Sequence, residues 1–237
     1  MGKVIMSGIV PQLTAPVTGT PISELAVGSV VKLNVDGVAT EFLVVHQGLP
    51  SSMYDTSCDG AWLLMKDCYE KRAWSSFNKY EESAIDTYLN GDFLNLFDSD
   101  TQELIKQVKI PYHKGYGNSG AVSSGANGLS TKIFLLGCYE VGFRWVQSSN
   151  FKQDGDKLDF FELDIGTSAA NKRRAYLDDA NIEWWLRTPY TTNNAFVCCV
   201  NNAGGFNFTS PGNTYGIRPA FILPSDTLIS DTGEVIA

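Results

Sequence analysis

The chain has 237 residues, 43% hydrophobic and only 19% charged, which excludes global disorder and allows a sizeable core. Its 26 acidic against 18 basic residues leave a formal net charge of −8; such a surface repels phosphate backbones and anionic headgroups, excluding nucleic acid and membranes as expected partners. Five cysteines with no Cys-x-x-Cys argue against a disulfide framework or a zinc site and for small buried hydrophobes.

Residues 1 to about 25 carry Pro11, Pro16 and Pro21 without amphipathic period and read as an attachment arm or linker, leaving one domain over 26–237. No apolar h-region opens the sequence, and no run approaches the ~18 apolar residues of a membrane helix, so synthesis in a cytoplasm without a signal peptide is expected. Val30 to Val35 alternates apolar and polar, Asp36-Gly37 supplies a type I′ hairpin turn, and Thr40 to His46 returns as a strand. Trp62 to Met65 is the next short strand.

Two short helices follow. Asn78 and Glu81 have capping-box spacing before the stripe Ala84, Ile85, Tyr88 and Leu89, with Gly91 as the end. Ser99 and Gln102 repeat the box before Leu104, Ile105 and Val108, with Pro111 as the stop. Lys114 to Thr131 reads as a long Gly/Ser-rich loop, Lys132 to Gly137 as a buried strand, and Asp154 to Asp164 as a mixed acidic stretch. The last third alternates strands (Ala195–Val200, Phe206–Phe208, Gly216–Leu223) with a Gly204-Gly205 turn, and Pro219 marks an edge or bulge. Helices this short cover a sheet rather than form a bundle, which fits a turn-heavy α+β or all-β protein.

Few motifs carry chemistry. Gly115 to Gly120 spells G-x-G-x-x-G but lacks the strand before and the helix after that a dinucleotide site needs. His46 and His113 have no neighbouring constellation and read as structural or surface residues. Asp154, Asp156 and Asp159 miss the EF-hand spacing and read as a solvated acidic loop; Lys172, Arg173 and Arg174 read as a solvated face. A glycosidase carboxylate pair could be drawn from the acidic residues, but no pattern selects one. On an alternating strand Cys198 points inward and Cys199 outward, with no cation to lower either pKa. No catalytic residue, metal site or cofactor is therefore expected.

The segment between Arg187 and Arg218 contains no charged residue and is rich in Asn, Thr, Gly, Tyr and Phe. That composition suits a paratope, with rigid aromatics for contact area and small polar groups for adaptable hydrogen bonds; it also suits turns. Trp184-Trp-Leu-Arg-Thr-Pro189, Cys198-x-Val200, Gly204-x-Phe206 and Gly216-Ile-Arg-Pro-Ala-Phe221 resemble the variable region of diversity-generating retroelement target proteins of gut phages and bacteria. Looser matches upstream (Asp36-Gly37, Tyr88-Leu-Asn-Gly-Asp-Phe-Leu, Lys132-Ile-Phe-Leu-Leu-Gly) extend the likeness over roughly 25–225.

The resemblance implies a C-type-lectin-like fold of small mixed antiparallel sheets with two short helices, and a variable region at about 184–221. It implies a frame of Trp184, Trp185, Leu186, Arg187, Pro189, Cys198, Val200, Gly204, Phe206, Gly216, Arg218 and Pro219. Ligand-contacting, diversifiable positions would be Tyr190, Thr191, Asn194, Ala195, Phe196, Cys199, Asn201, Asn202, Gly205, Asn207, Phe208, Asn213 and Tyr215, on one exposed face. Arg187 and Arg218 would lock the frame through backbone carbonyls or a carboxylate. The Glu-Pro-Asn and Trp-Asn-Asp triplets of calcium-dependent sugar binding are absent. The implied partner is a receptor, protein or glycan, on a bacterial surface; the implied setting is a phage virion tail or a bacterial cell surface. A homo-oligomer, with a trimer favoured by virion symmetry, would add multivalency. A bacterial adhesin with the same face is the nearest alternative, and an oxidase of the sulfatase-modifying, formylglycine-generating type the more distant one.

Overall fold

The computed structural model describes residues 18–118, 121–143, 150–163 and 166–236. Two sheets dominate. One has four antiparallel strands in the order Ala220–Leu223, Ala61–Met65, Val38–Gln47, Val30–Val35. The other has five, in the order Phe206–Thr209, Val197–Val200, Trp184–Pro189, Thr214–Gly216, Lys71–Ala73. The latter contains one parallel contact, Trp184 against Gly216; its other pairings are antiparallel. The architecture is sheet-rich α+β.

The first hairpin forms as its sequence dictates: Asp36 and Gly37 adopt φ of 51° and 78°, the left-handed pair of a type I′ turn, and Val35 pairs with Val38. The expected strand Gly216–Leu223 is instead two strands in two different sheets. Ile217, Arg218 and Pro219 carry the chain across the junction, where a proline interrupts no ladder.

The helices differ in detail from their sequence signals. Ser83, not Asn78, caps Ala84–Tyr88 by accepting from the Asp86 N–H at 3.1 Å, and Gly91 lies inside a following π turn, Leu89–Phe93. Asp98, rather than Ser99, caps Ser99–Leu104. That helix stops before Val108, which starts the strand Val108–Ile110. A third helix, Thr167–Arg173, was not anticipated. Lys132 to Gly137 is buried through Ile133, Phe134, Leu135 and Leu136, yet pairs only by an isolated bridge from Phe134 to Ala220.

Residues 20–25, expected in the arm, pack on the domain. Thr20–Pro21 pairs with Leu228–Ile229 and Ile22 is fully buried; residues 1–17 lie outside the described residues.

The central strands Ala61–Met65, Trp184–Pro189, Val197–Val200 and Ala220–Leu223 are buried along their whole length, so they alternate between two cores, whereas the edge strand Val30–Val35 alternates between core and water. Trp184, Leu186, Cys198 and Val200 enter one core, with Trp62 and Phe134. Trp185, Val197 and Cys199 enter the other, with Trp74, Tyr80 and Phe221. Cys199 is therefore buried, contrary to the outward orientation expected; the continuous apolar run Val-Cys-Cys-Val is the signal of a strand covered on both sides. Among the described residues no helix is long and apolar enough to cross a membrane.

Candidate functional site

The site is built outward from Arg187, whose side chain is fully buried on the central strand Trp184–Pro189. A buried guanidinium is costly unless paired and fully hydrogen-bonded, and this one is both. It meets both Glu140 oxygens at 2.6 Å and donates to the carbonyls of Leu135 (2.9 Å), Pro111 (3.2 Å) and Asp154 (2.6 Å). Glu140 in turn accepts from the Tyr54 hydroxyl at 2.7 Å and the Gly137 N–H at 2.8 Å.

Asp154 adds a second buried acid, which overturns its reading as part of a solvated loop. Its Oδ1 accepts from the Thr188 hydroxyl at 2.9 Å, and that hydroxyl accepts from the Cys138 N–H at 2.8 Å. Burial pushes its carboxyl up to about 6 despite the opposing pull of Arg187. The same loop then reaches the surface: the Asn150 carbonyl accepts from the Thr191 N–H at 2.8 Å, and Phe151 becomes the floor of an aromatic patch.

In that patch Phe151 lies 5.0 Å from Tyr190, 5.7 Å from Phe206 and 5.9 Å from Phe208, centroid to centroid. Phe196 packs 5.3 Å from Phe208 and 5.7 Å from Tyr190, near edge-on, the geometry favoured by ring quadrupoles. Phe151 is buried, Tyr190, Phe196 and Phe206 are half-buried, and Phe208 is 42% exposed. The patch is thus a graded apolar surface resting on a charged but internally neutralised frame.

The expected contact residues do not share one face. Along Phe206–Thr209, Phe208 lies opposite Cys198 and Asn207 opposite Cys199, so these neighbours belong to opposite sides of the sheet. Tyr190, Phe196 and Phe208 form the aromatic patch. On the other side the Tyr215 ring stacks 4.8 Å from Trp185, and Asn202 and Tyr215 line a cleft of about 290 Å³ with Lys71, Asn181, Glu183 and Thr214. Asn194, Ala195, Asn202 and Asn213 are exposed, while Thr191 joins Cys199 in being buried.

Several polar side chains expected to face a ligand bond instead to neighbouring groups of their own segment. Asn201 Oδ1 accepts from the N–H groups of Ala203 (3.0 Å) and Gly205 (2.8 Å), and Gly205 packs against that side chain. Asn207 accepts from the Phe208 N–H at 2.9 Å, and Asn213 donates to the Thr209 hydroxyl at 2.6 Å. Arg173, read as solvated, is buried and donates to the Gly204 carbonyl at 2.8 Å, pinning the same turn to the third helix. Arg218 donates to the Met65 and Lys66 carbonyls at 2.8 Å each, as a frame residue should.

The sequence reading missed the supports drawn from elsewhere in the chain: Glu140, Phe151 and, above all, Asn78. This asparagine is fully buried, and its amide donates to the carbonyls of Tyr190 (2.7 Å), Asn193 (2.9 Å) and Phe196 (3.1 Å). Three carbonyls converging on one amide fix the loop that carries Tyr190 and Phe196.

The thiols are poor nucleophiles as placed. Burial pushes Cys58 and Cys68 up to about 12 and raises Cys198 and Cys199 as well, which disfavours the reactive thiolate. His113 Nδ1 accepts from the Gly115 N–H at 2.9 Å. His46 lies 2.8 Å from Asp159, yet burial outweighs that carboxylate and lowers its pKa. No group of three or more His, Cys, Asp or Glu suited to a metal occurs among the described residues.

A family model described as a Domain of unknown function (DUF6273) matches residues 59–225, a span that includes Asn78, Glu140, Arg187 and the whole aromatic patch. No curated protein and no solved structure matches the chain.

Proposed function

Starting from a chain that belongs to the DUF6273 family, we propose that it is a non-enzymatic recognition protein that engages a receptor on a bacterial surface through the patch of Tyr190, Phe196 and Phe208. The frame is read as C-type-lectin-like, with the segment 184–221 as its diversifiable region. The setting is a phage tail, displayed as a homo-oligomer such as a trimer; a bacterial adhesin would use the same face. The observation that carries this reading is the pairing of an exposed, charge-free aromatic patch with a buried frame held by Arg187, Glu140 and Asn78. Rigid aromatics on a preorganised support lose little conformational entropy on binding, as interface hot spots require. The oxidase alternative needs a reactive thiol pair. Cys198 and Cys199 face different cores and are held protonated by burial, which weighs against it.

The test is capture of the purified protein by a panel of gut-bacterial strains, beside a variant carrying Tyr190→Ala, Phe196→Ala and Phe208→Ala. Strain-selective binding lost in a folded variant supports the reading. Equal binding by both proteins, or by neither, removes it.

A further inference from the structure

We propose that the recognition face extends beyond the segment 184–221 to the loop at 113–118, with Tyr116 as an additional contact residue and Asn78 as the joint that makes the two loops one surface; this rests on the reading above. The two ends of the Asn78 amide face different loops. Its Nδ2 donates to the carbonyls of Tyr190, Asn193 and Phe196, and its Oδ1 accepts from the Tyr116 N–H at 3.2 Å. The backbones of Tyr116 and Phe196 are therefore held at opposite ends of one planar group, fully buried and unable to shift without breaking four hydrogen bonds.

The loop at 113–118 is built to accept that grip. Gly115 has φ +79°, and a Cβ there would meet the Asn78 carbonyl oxygen at 2.3 Å, so the backbone can approach only because no side chain intervenes. The Gly115 N–H is taken by the buried His113 ring. What this local order presents to solvent is the Tyr116 side chain, 50% exposed, which is hard to explain as packing. A tyrosine with a fixed backbone and an exposed amphipathic ring, beside a charge-free patch of Tyr and Phe, is a contact element suited to a protein receptor.

The experiment compares dissociation of the full-length protein from whole cells of a strain that it captures, using wild type, Tyr116→Ala, Asn78→Ala and the pair. Truncating an aromatic contact weakens binding by about tenfold, and Tyr116→Ala is expected to do so at unchanged melting temperature. In the Asn78→Ala background, Tyr116→Ala should cost little further, because the ring is no longer held against the ligand; simple loss of stability gives no such coupling. Hydrogen exchange without ligand supplies a second readout: Asn78→Ala should raise exchange in 113–118 and 190–196 together. Should Asn78→Ala not fold, the comparison of Tyr116→Ala with Phe208→Ala in the wild-type background decides alone. If Tyr116→Ala binds as wild type while Phe208→Ala does not, the extension is wrong and the aromatic patch stands. If wild type captures no strain, both readings fall.

Discussion

Two fully buried arginines bracket the charge-free segment, and they are held in different ways. Arg187 meets Glu140 with two bonds of 2.6 Å and three further carbonyls, and its pKa is raised. Arg218 has no carboxylate in contact among the described residues. It donates to two carbonyls, lies 5.0 Å from the Trp184 ring and leaves one terminal nitrogen unpartnered; burial lowers its pKa to about 10. Both positions need the long donor fork, since each ties together carbonyls from separated segments. Of the two, only Arg187 is tied to the segment that carries Phe151, through the Asp154 carbonyl, and it is there that the fold places a carboxylate against the buried cation.

The largest expected effect breaks the compensated side. Glu140→Gln strips the partner from a buried cation and should cost about 3–5 kcal/mol, measured by denaturant unfolding. Arg218→Met removes a cation already poorly compensated and replaces it with an apolar chain of similar reach. Its cost should be smaller, about 1–3 kcal/mol for two lost hydrogen bonds, since the Lys66 carbonyl belongs to an exposed residue. Comparable losses in the two variants would show that the carboxylate contributes nothing beyond the carbonyl bonds.

Much of this arrangement was legible in the sequence, and some was not. The Asp36-Gly37 hairpin, the short strands of the last third and the locking roles of Arg187 and Arg218 follow from local pattern or from the resemblance. What failed was the assumption that one face of the strand around Cys198 and Cys199 meets water. Cys199 is buried because its strand is covered on both sides, Thr191 because it packs against the segment at Asn150, and Asn207 and Phe208 part company because successive strand residues face opposite sides. Asp154 read as solvated because spacing shows charge but not burial. Asn78 resembled a helix cap; the three carbonyls it donates to lie more than a hundred residues away, beyond the reach of any local rule.

Asp154 sharpens the comparison through pH. Its folded pKa of about 6 exceeds the ordinary 3.8, so the folded state holds the proton more tightly than the unfolded one. The stability from this group is fully present below about pH 4 and is lost as pH rises to about 6. Two units correspond to about 3 kcal/mol. Asp154→Asn should therefore flatten the decline in melting temperature between pH 4 and 7. At pH 7 the variant should equal or exceed wild type, its amide still accepting from Thr188. Asp86, raised to about 7 by burial, titrates in both proteins and cancels in the difference. Parallel profiles would place the proton elsewhere.

The smallest expected effect on stability belongs to Phe208, and it separates face from frame. This ring is 42% exposed, and its closest ring contact, at 5.3 Å, is with the half-buried Phe196. Replacing it with Asn, a side chain common on this surface, removes apolar area that water already reaches, so stability should change by only about 0.5 kcal/mol. Phe151, 5% exposed and beneath the same cluster, should instead cost about 3–5 kcal/mol when cut to Ala. If Phe208→Asn destabilises as much as Phe151→Ala, the patch is an outlying part of the core, and its exposure is no argument for recognition. If it leaves melting unchanged and abolishes capture by cells, the surface can be rewritten without touching what holds it, which is the property a diversifiable recognition face requires.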